Sequence, residues 1–207
     1  MGKRDAREEH IVFCGGKGSG KSTFFQVLED GTYCSEKVSP SSDGEWNDSG
    51  KKMRIKGKEE DTFLYFADSD ARNFSYMRNS MHQDGFLLFF AVNSRETFGY
   101  IDNALETIYR MNGDRFVPTV LIANKADLPI SQRVVSRTEA EAWATEKGCF
   151  YTEISAWNVE DVDSTIDLLF EAIEKQKEDE RIKIEKDAKA KRKLERRRRR
   201  QERCPLL

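Results

Sequence analysis

No run of apolar residues in this 207-residue chain approaches the roughly 20 that a membrane-spanning helix needs. Residues 1–6 are charged and hold no apolar stretch, so they do not read as a secretory signal. Ala6 stands where a myristoylation signal after Gly2 wants Ser or Thr. The four cysteines, Cys14, Cys34, Cys149 and Cys204, lack the spacing of metal ligands and read as reduced, cytosolic thiols. Cys14 and Cys149 fall in apolar segments and are expected in the core. The two histidines, His10 and His82, have no Ser, Cys or carboxylate constellation, which leaves them surface or strand-edge positions rather than catalytic ones. No internal repeat is present.

What is present suffices for one domain with its own core, since 38% of the residues are hydrophobic. Charge is unevenly placed. Residues 177–207 hold 14 Lys/Arg against 7 Asp/Glu, whereas the other 176 hold 21 against 30, so a body of balance -9 carries a tail of +7. Only the tail suggests a polyanionic partner.

From His10 to about Lys175, apolar runs alternate with helical periodicity. The runs are 10–14, 62–67, 85–92, 119–123 and 150–153, and the third is nearly all apolar, as a strand covered on both faces would be. Phe98, Ile101, Leu105 and Ile108 recur at helical spacing, and Ser136 with Glu139 reads as a capping box opening the helix that contains Trp143. Val162, Ile166, Leu169 and Ile173 mark the core face of a last helix. This alternation predicts an α/β fold with a mostly parallel sheet flanked by helices. Residues 34–61, rich in Ser, Gly, Asp and Lys, interrupt it, with Met53 to Ile55 as a short edge strand. Past Glu174 nearly every residue is charged and no apolar stripe remains, so 174–190 read as a solvated helix or a disordered extension.

The most informative stretch is Gly15-Gly16-Lys17-Gly18-Ser19-Gly20-Lys21-Ser22, between an apolar run and a helical pattern that begins at Thr23. Gly, four residues, then Gly-Lys-Ser at a strand-to-helix junction wraps backbone N–H groups around the phosphates of a nucleotide. The glycines admit close approach, the helix N-terminus favours anions, Lys21 reaches the β- and γ-phosphates, and Ser22 can ligate Mg²⁺. Asn124-Lys125-Ala126-Asp127 follows the run 119–123, at the carboxyl end of a strand, where ligands bind in open α/β sheets. Asp127 can accept hydrogen bonds from the guanine N1–H and 2-amino group, neither of which adenine offers. Ser155-Ala156-Trp157 closes the final strand, with the Ala156 N–H placed to hold the guanine carbonyl oxygen. Donors and acceptors matched in this way make the wrong base costly.

With these motifs in order, the chain resembles a small GTPase of the Ras superfamily, as a divergent member of the Ras subfamily, over residues 8–175. The run 85–93 and Pro129 after Asp127-Leu128 share the likeness. The resemblance implies a P-loop NTPase fold with a six-stranded, mostly parallel sheet, GTP/GDP binding with Mg²⁺, effector and regulator proteins as partners, and two switch segments that follow the γ-phosphate. Carried over by position, Gly15 and the backbone from Gly18 through Ser19, Gly20, Lys21 and Ser22 to Thr23 would cradle phosphates. Tyr33 would pack on the guanine edge, and Lys125, Ser155 and Trp157 would join the base site. Ser22 would be one metal ligand, Asp68 the second-shell metal aspartate, and Ser41, after Pro40, the substitute for the first-switch threonine.

The chain also departs from the family. The second switch should read Asp, two residues, Gly and then a Gln that orients the attacking water; here it reads Asp68-Ser69-Asp70-Ala71-Arg72. Lys17 occupies a phosphate-loop position that is usually a small Gly, where a long side chain crowds the water and an incoming arginine finger. Lys17, Asp70, Ala71 and Arg72 are therefore the altered catalytic positions, and hydrolysis is expected to be slow. Trp157 replaces the usual Lys after Ser155-Ala156 and removes one cation near the base.

Residues 176–207 form a charged extension ending in five consecutive arginines, then Gln-Glu-Arg and Cys204-Pro205-Leu206-Leu207. A Cys fourth from the end with a final Leu reads as a geranylgeranylation signal, and the neighbouring arginines as the second signal toward anionic lipid. The expectation is a monomer whose residues 191–204 hold it on the cytoplasmic face of the plasma membrane. No aromatics interleave with the basic residues, which argues against nucleic acid. Two other readings stand beside the membrane-associated switch. One is a pseudo-GTPase scaffold that binds nucleotide statically or weakly. The other is a nucleotide kinase or ATPase, which shares only the phosphate loop.

Overall fold

The computed structural model describes residues 8–31, 34–38, 51–55, 63–66, 68–69, 83–113 and 115–202. His82 and, among the site positions, Tyr33, Ser41, Asp70, Ala71, Arg72 and Cys204 lie outside the described residues. Strands β1 (Glu8–Gly15), β6 (Gly85–Ala91), β7 (Thr119–Asn124) and β8 (Phe150–Ile154) pair in parallel, and β1 also pairs in parallel with β4 (Phe63–Phe66) and β5 (Asp68–Ser69). Helices α1 (Lys21–Asp30), α2 (Arg95–Asn112), α3 (Arg137–Lys147) and α4 (Val159–Glu202) flank this sheet. The expected α/β architecture with a mostly parallel sheet is present.

The sheet order is β2-β3-β4-β1-β6-β7-β8, where β2 (Cys34–Val38) and β3 (Lys51–Ile55) are antiparallel additions beyond β4. Among the described residues the sheet is seven strands across, with β2 pairing outside β3. Met53 to Ile55 is thus a strand, but an interior one rather than an edge. His10 is likewise not at an edge. It lies in β1, between β4 and β6, and its N–H donates to Asp84 Oδ2 at 3.0 Å.

Strand alternation sends neighbouring residues to opposite faces, and helices cover both, which is why the strands read as unbroken apolar runs. On one face Ile11, Phe13, Leu87 and Phe89 meet α1 and α4; on the other Val12, Cys14, Phe86 and Leu88 meet α2 and α3. The rings of Phe13, Phe24 and Phe89 stack at 5.2–5.6 Å between centroids and lock α1 against β1 and β6. Cys149 packs half-buried beside the second cluster, and burial pushes its thiol up to about 11.

Two local devices set helix positions. Ser136 caps α3 by accepting from the Glu139 N–H at 3.1 Å, but only half of the capping box forms, because the Glu139 carboxylate pairs with Arg95 of α2. Gly85 lets α4 approach β6 closely: a Cβ there would stand 2.9 Å from Leu169 Cδ1. Leu169 is fully buried in the first cluster. Leu169→Ala should therefore cost about 2–5 kcal/mol of stability, read as a lower urea midpoint with an unchanged m-value.

Candidate functional site

The carboxyl ends of β1, β7 and β8 carry the three sequence motifs to one rim of the sheet. Gly20 initiates α1 in the left-handed region (φ 97°), and among the described residues no side chain caps that helix. By contrast, α2 and α3 are capped by Ser94 and Ser136. The first-turn N–H groups of α1 therefore lack the side-chain acceptor that the other two helices have, an arrangement that suits an anion in the cap position. At Gly18 (φ +81°) no atom of the described residues stands within 4 Å of where a Cβ would project. The Lys21 ammonium lies across the loop, donating to the carbonyls of Gly15 at 2.8 Å and Gly16 at 3.3 Å. Lys17, Gly18 and Ser22 are exposed along the loop.

Asn124 ties the motifs together. Its Nδ2 donates to the Ser19 carbonyl at 2.8 Å, while its Oδ1 accepts from the Lys125 N–H at 2.7 Å and the Ala156 N–H at 2.9 Å. The side chain is 2% exposed, so it is a buried amide with its polar atoms satisfied. The Ala156 N–H, expected to hold the guanine carbonyl oxygen, donates to Asn124 Oδ1 here. The reason is local: a buried amide oxygen needs donors, and that N–H is within reach.

The cleft beside this clasp has a volume of about 180 Å³ and brings together Gly20, Thr23, Asn124, Lys125, Asp127 and the segment 155–157. Asp127 is exposed at its rim and Trp157 forms a wall while 75% exposed. Lys125 holds the turn with a positive φ of 66°, and the Ala126 N–H binds the Ile154 carbonyl at 3.0 Å. Ser155 is fixed from α4, since Asp161 Oδ2 accepts its N–H at 2.8 Å. Sequence patterning did not single out Asp161; its signal is a carboxylate in the first turn of the helix that follows the motif. Leu128 is a further lining residue that went unremarked. Behind the cleft, Glu153 accepts from the Tyr151 hydroxyl and pairs with Arg133, both at 2.7 Å. Burial first, and then Glu153, hold the Tyr151 hydroxyl well above its ordinary range, in its donating form.

Of the metal positions, Ser22 is exposed as the second residue of α1, and the backbone of Asp68 pairs opposite Phe13, two residues before Gly15. Among the described residues no cluster of three or more His, Cys, Asp or Glu could hold a metal ion by itself. The exposed Ser22 hydroxyl suits Mg²⁺, which is commonly bound through few protein groups and substrate phosphates.

A Cβ at Gly20 would stand 1.9 Å from Asn124 Nδ2. Asn124 cannot swing aside without releasing its three hydrogen bonds. Gly20→Ala should lower unfolding free energy by on the order of 3 kcal/mol, and Asn124→Ala should add little in that background. A double-mutant cycle by urea unfolding checks the shared loss.

The model of the Ras family matches residues 10–175. The chain is 29% identical to the GTP-binding protein rhb1 of Schizosaccharomyces pombe, over 82% of this chain and 90% of that one. It is 32% identical to the protein ras-1 of Neurospora crassa, over 85% and 81% respectively. Against the human Ras-related protein R-Ras, identity is 40% over 46% of this chain and 44% of that one. A phosphate loop, a base-side turn and a strand-end segment held by one buried Asn, within a domain matched along nearly all its length, identify the chain as a member of the Ras family of small GTPases.

Proposed function

We propose that this chain is a membrane-associated guanine-nucleotide switch whose GTP hydrolysis is slow, built from a nucleotide-binding domain at 8–175 and a basic extension at 176–207. The observation that carries the reading is the Asn124 clasp, which places Asp127 and the uncapped start of α1 on one cleft. Phosphates would take the cap position of α1, with Lys21 free to exchange its loop carbonyls for phosphate oxygens. Asp127, exposed at the rim, would accept from the two guanine donors, and Lys125 and Trp157 would flank the ring. Ser22, with Asp68 behind it and Ser41 from the first switch, would hold Mg²⁺, which when bound neutralises phosphate charge.

Hydrolysis in this family is in-line attack by water, helped by positioning and charge rather than by a covalent intermediate. The exposed Lys17 side chain rises from the loop where an arginine finger would enter, and the segment 68–72 has neither the Gly nor the Gln of the family pattern. A finger contributes about 10³–10⁵ in rate, so its exclusion would dominate the kinetics. The same altered segment favours a second reading, a pseudo-GTPase scaffold that holds nucleotide without turning it over.

Purified protein should carry guanine nucleotide, and single-turnover hydrolysis should stay on the order of 10⁻⁴ per second with or without an activating protein. Activator-level turnover would overturn slow hydrolysis, and tightly held GTP with no turnover would select the scaffold. Membrane association is expected to depend on the lipid site: Cys204→Ser should move the protein from the membrane fraction to the soluble one, measured by fractionation of cells expressing each form.

A further inference from the structure

Helix α4 does not end where its core contacts end. It runs unbroken from Val159 to Glu202, 44 residues, and Ile173 is its last buried apolar residue. Its first turns start at the cleft, where Asp161 holds Ser155, and it then descends the sheet past Gly85 at the start of β6. At the far rim Lys177 Nζ is held between the two Glu9 carboxylate oxygens at 2.7 and 2.8 Å, with Asp84 Oδ1 at 3.7 Å. Glu9 is buried near the start of β1, and Arg115 pairs with Glu180 at 3.9 Å on the same rim. The helix therefore leaves the domain at the end opposite the nucleotide cleft.

Beyond that rim every residue from Arg181 to Arg196 is exposed. An isolated helix of this length is marginal because nucleation is costly, but here nucleation is already supplied by the docked turns. Within the projecting part Glu185 pairs with Lys189 at 3.3 Å, acid toward the N-terminus, and the basic end sits at the helix C-terminus where the macrodipole favours cations. At about 1.5 Å per residue, residues 181–202 reach about 33 Å from the rim.

The charge along this rod is graded. Residues 178–187 hold five acidic residues and three basic ones, whereas 189–200 hold nine Lys/Arg and one Glu. An anionic surface attracts the far end and repels both the proximal helix and the acidic body. The projection spans several Debye lengths, which are about 8 Å at physiological ionic strength, so the repulsion of the body is screened while the basic end is docked.

We propose that residues 181–202 form a rigid post that stands the nucleotide-binding domain off an anionic lipid bilayer, with the nucleotide cleft facing away from it. This rests on the membrane reading above; the shape and the charge gradient are independent of it.

The test uses the full chain with bio-orthogonal spin labels at positions 174 and 195, and separately a donor fluorophore at the exposed Ile130 beside the cleft. The spin-label separation should be narrow and near 32 Å, in solution and on phosphatidylserine-containing vesicles, as about 1.5 Å per residue requires. The chain should sediment with those vesicles and not with pure phosphatidylcholine, and energy transfer from position 130 to a headgroup acceptor should be low. Ala188→Pro with Ala190→Gly, which leaves every charge in place, should sediment equally while transfer rises by about twofold or more as the post kinks. A broad separation, or high transfer by the unmodified chain on vesicles, overturns the post and leaves the membrane reading intact. Failure to sediment with anionic vesicles, alone or with binding to RNA instead, overturns the membrane reading and the post with it, and a narrow separation would then show that the rod itself was not at fault.

Discussion

The side-chain amide of Asn124 holds the phosphate loop, its own turn and the segment after β8 in one arrangement. Each of those segments is a loop, and loops at strand ends have few packing contacts to fix them. The sheet brings them to the same rim, and a shared hydrogen-bonding centre ties them to one another there. Being buried makes the centre strong in one direction: its bonds gain little over water when made, yet leaving any of them unmade is expensive. The glycine at position 20 follows from this, because the amide nitrogen occupies the space a side chain would need. Ser19, whose carbonyl the amide grips, buries a hydroxyl that has no hydrogen-bond partner among the described residues.

Much of this was legible in the sequence, for reasons that differ from residue to residue. The phosphate loop and the Asn-Lys-Ala-Asp turn are readable because phosphate and guanine chemistry demand those residue types at those places. The strand Gly85–Ala91 is readable because burial on both faces leaves it without a polar side chain. The role of Asn124 as a clasp was not readable: its partner Ser19 is 105 residues away, and nothing local marks a side chain whose donors and acceptors are used up within the fold. Strand β2 escaped notice because Cys34–Val38 lacks an apolar alternation, and β3 then seemed an edge. The helical continuation past residue 174 was one of two readings, since charge-rich sequence supports a helix only when something nucleates it.

The domain therefore separates two tasks along the axis of one helix. The beginning of α4 fixes the base-side loop through Asp161, its middle completes the core through Val162, Ile166, Leu169 and Ile173, and its exposed far part is mostly charged. A change in the charged end leaves the core contacts untouched, whereas a change in the middle would disturb both the sheet and the loop above it. The ion pair between Lys177 and Glu9 marks the border between these regimes.

That arrangement also governs how the chain acquires its structure. The face of the sheet bearing Ile11, Phe13 and Leu87 is closed by residues of α4, the last element of the chain, and Glu9 waits for a partner 168 residues downstream. Contacts so distant in sequence carry a high loop-closure cost and slow the approach to the native state. During synthesis the parallel strands can align, α2 and α3 can cover their own face and α1 part of the other, but that other face is completed only when α4 has emerged. The nascent domain is thus most exposed to aggregation until α4 is available to pack on the sheet.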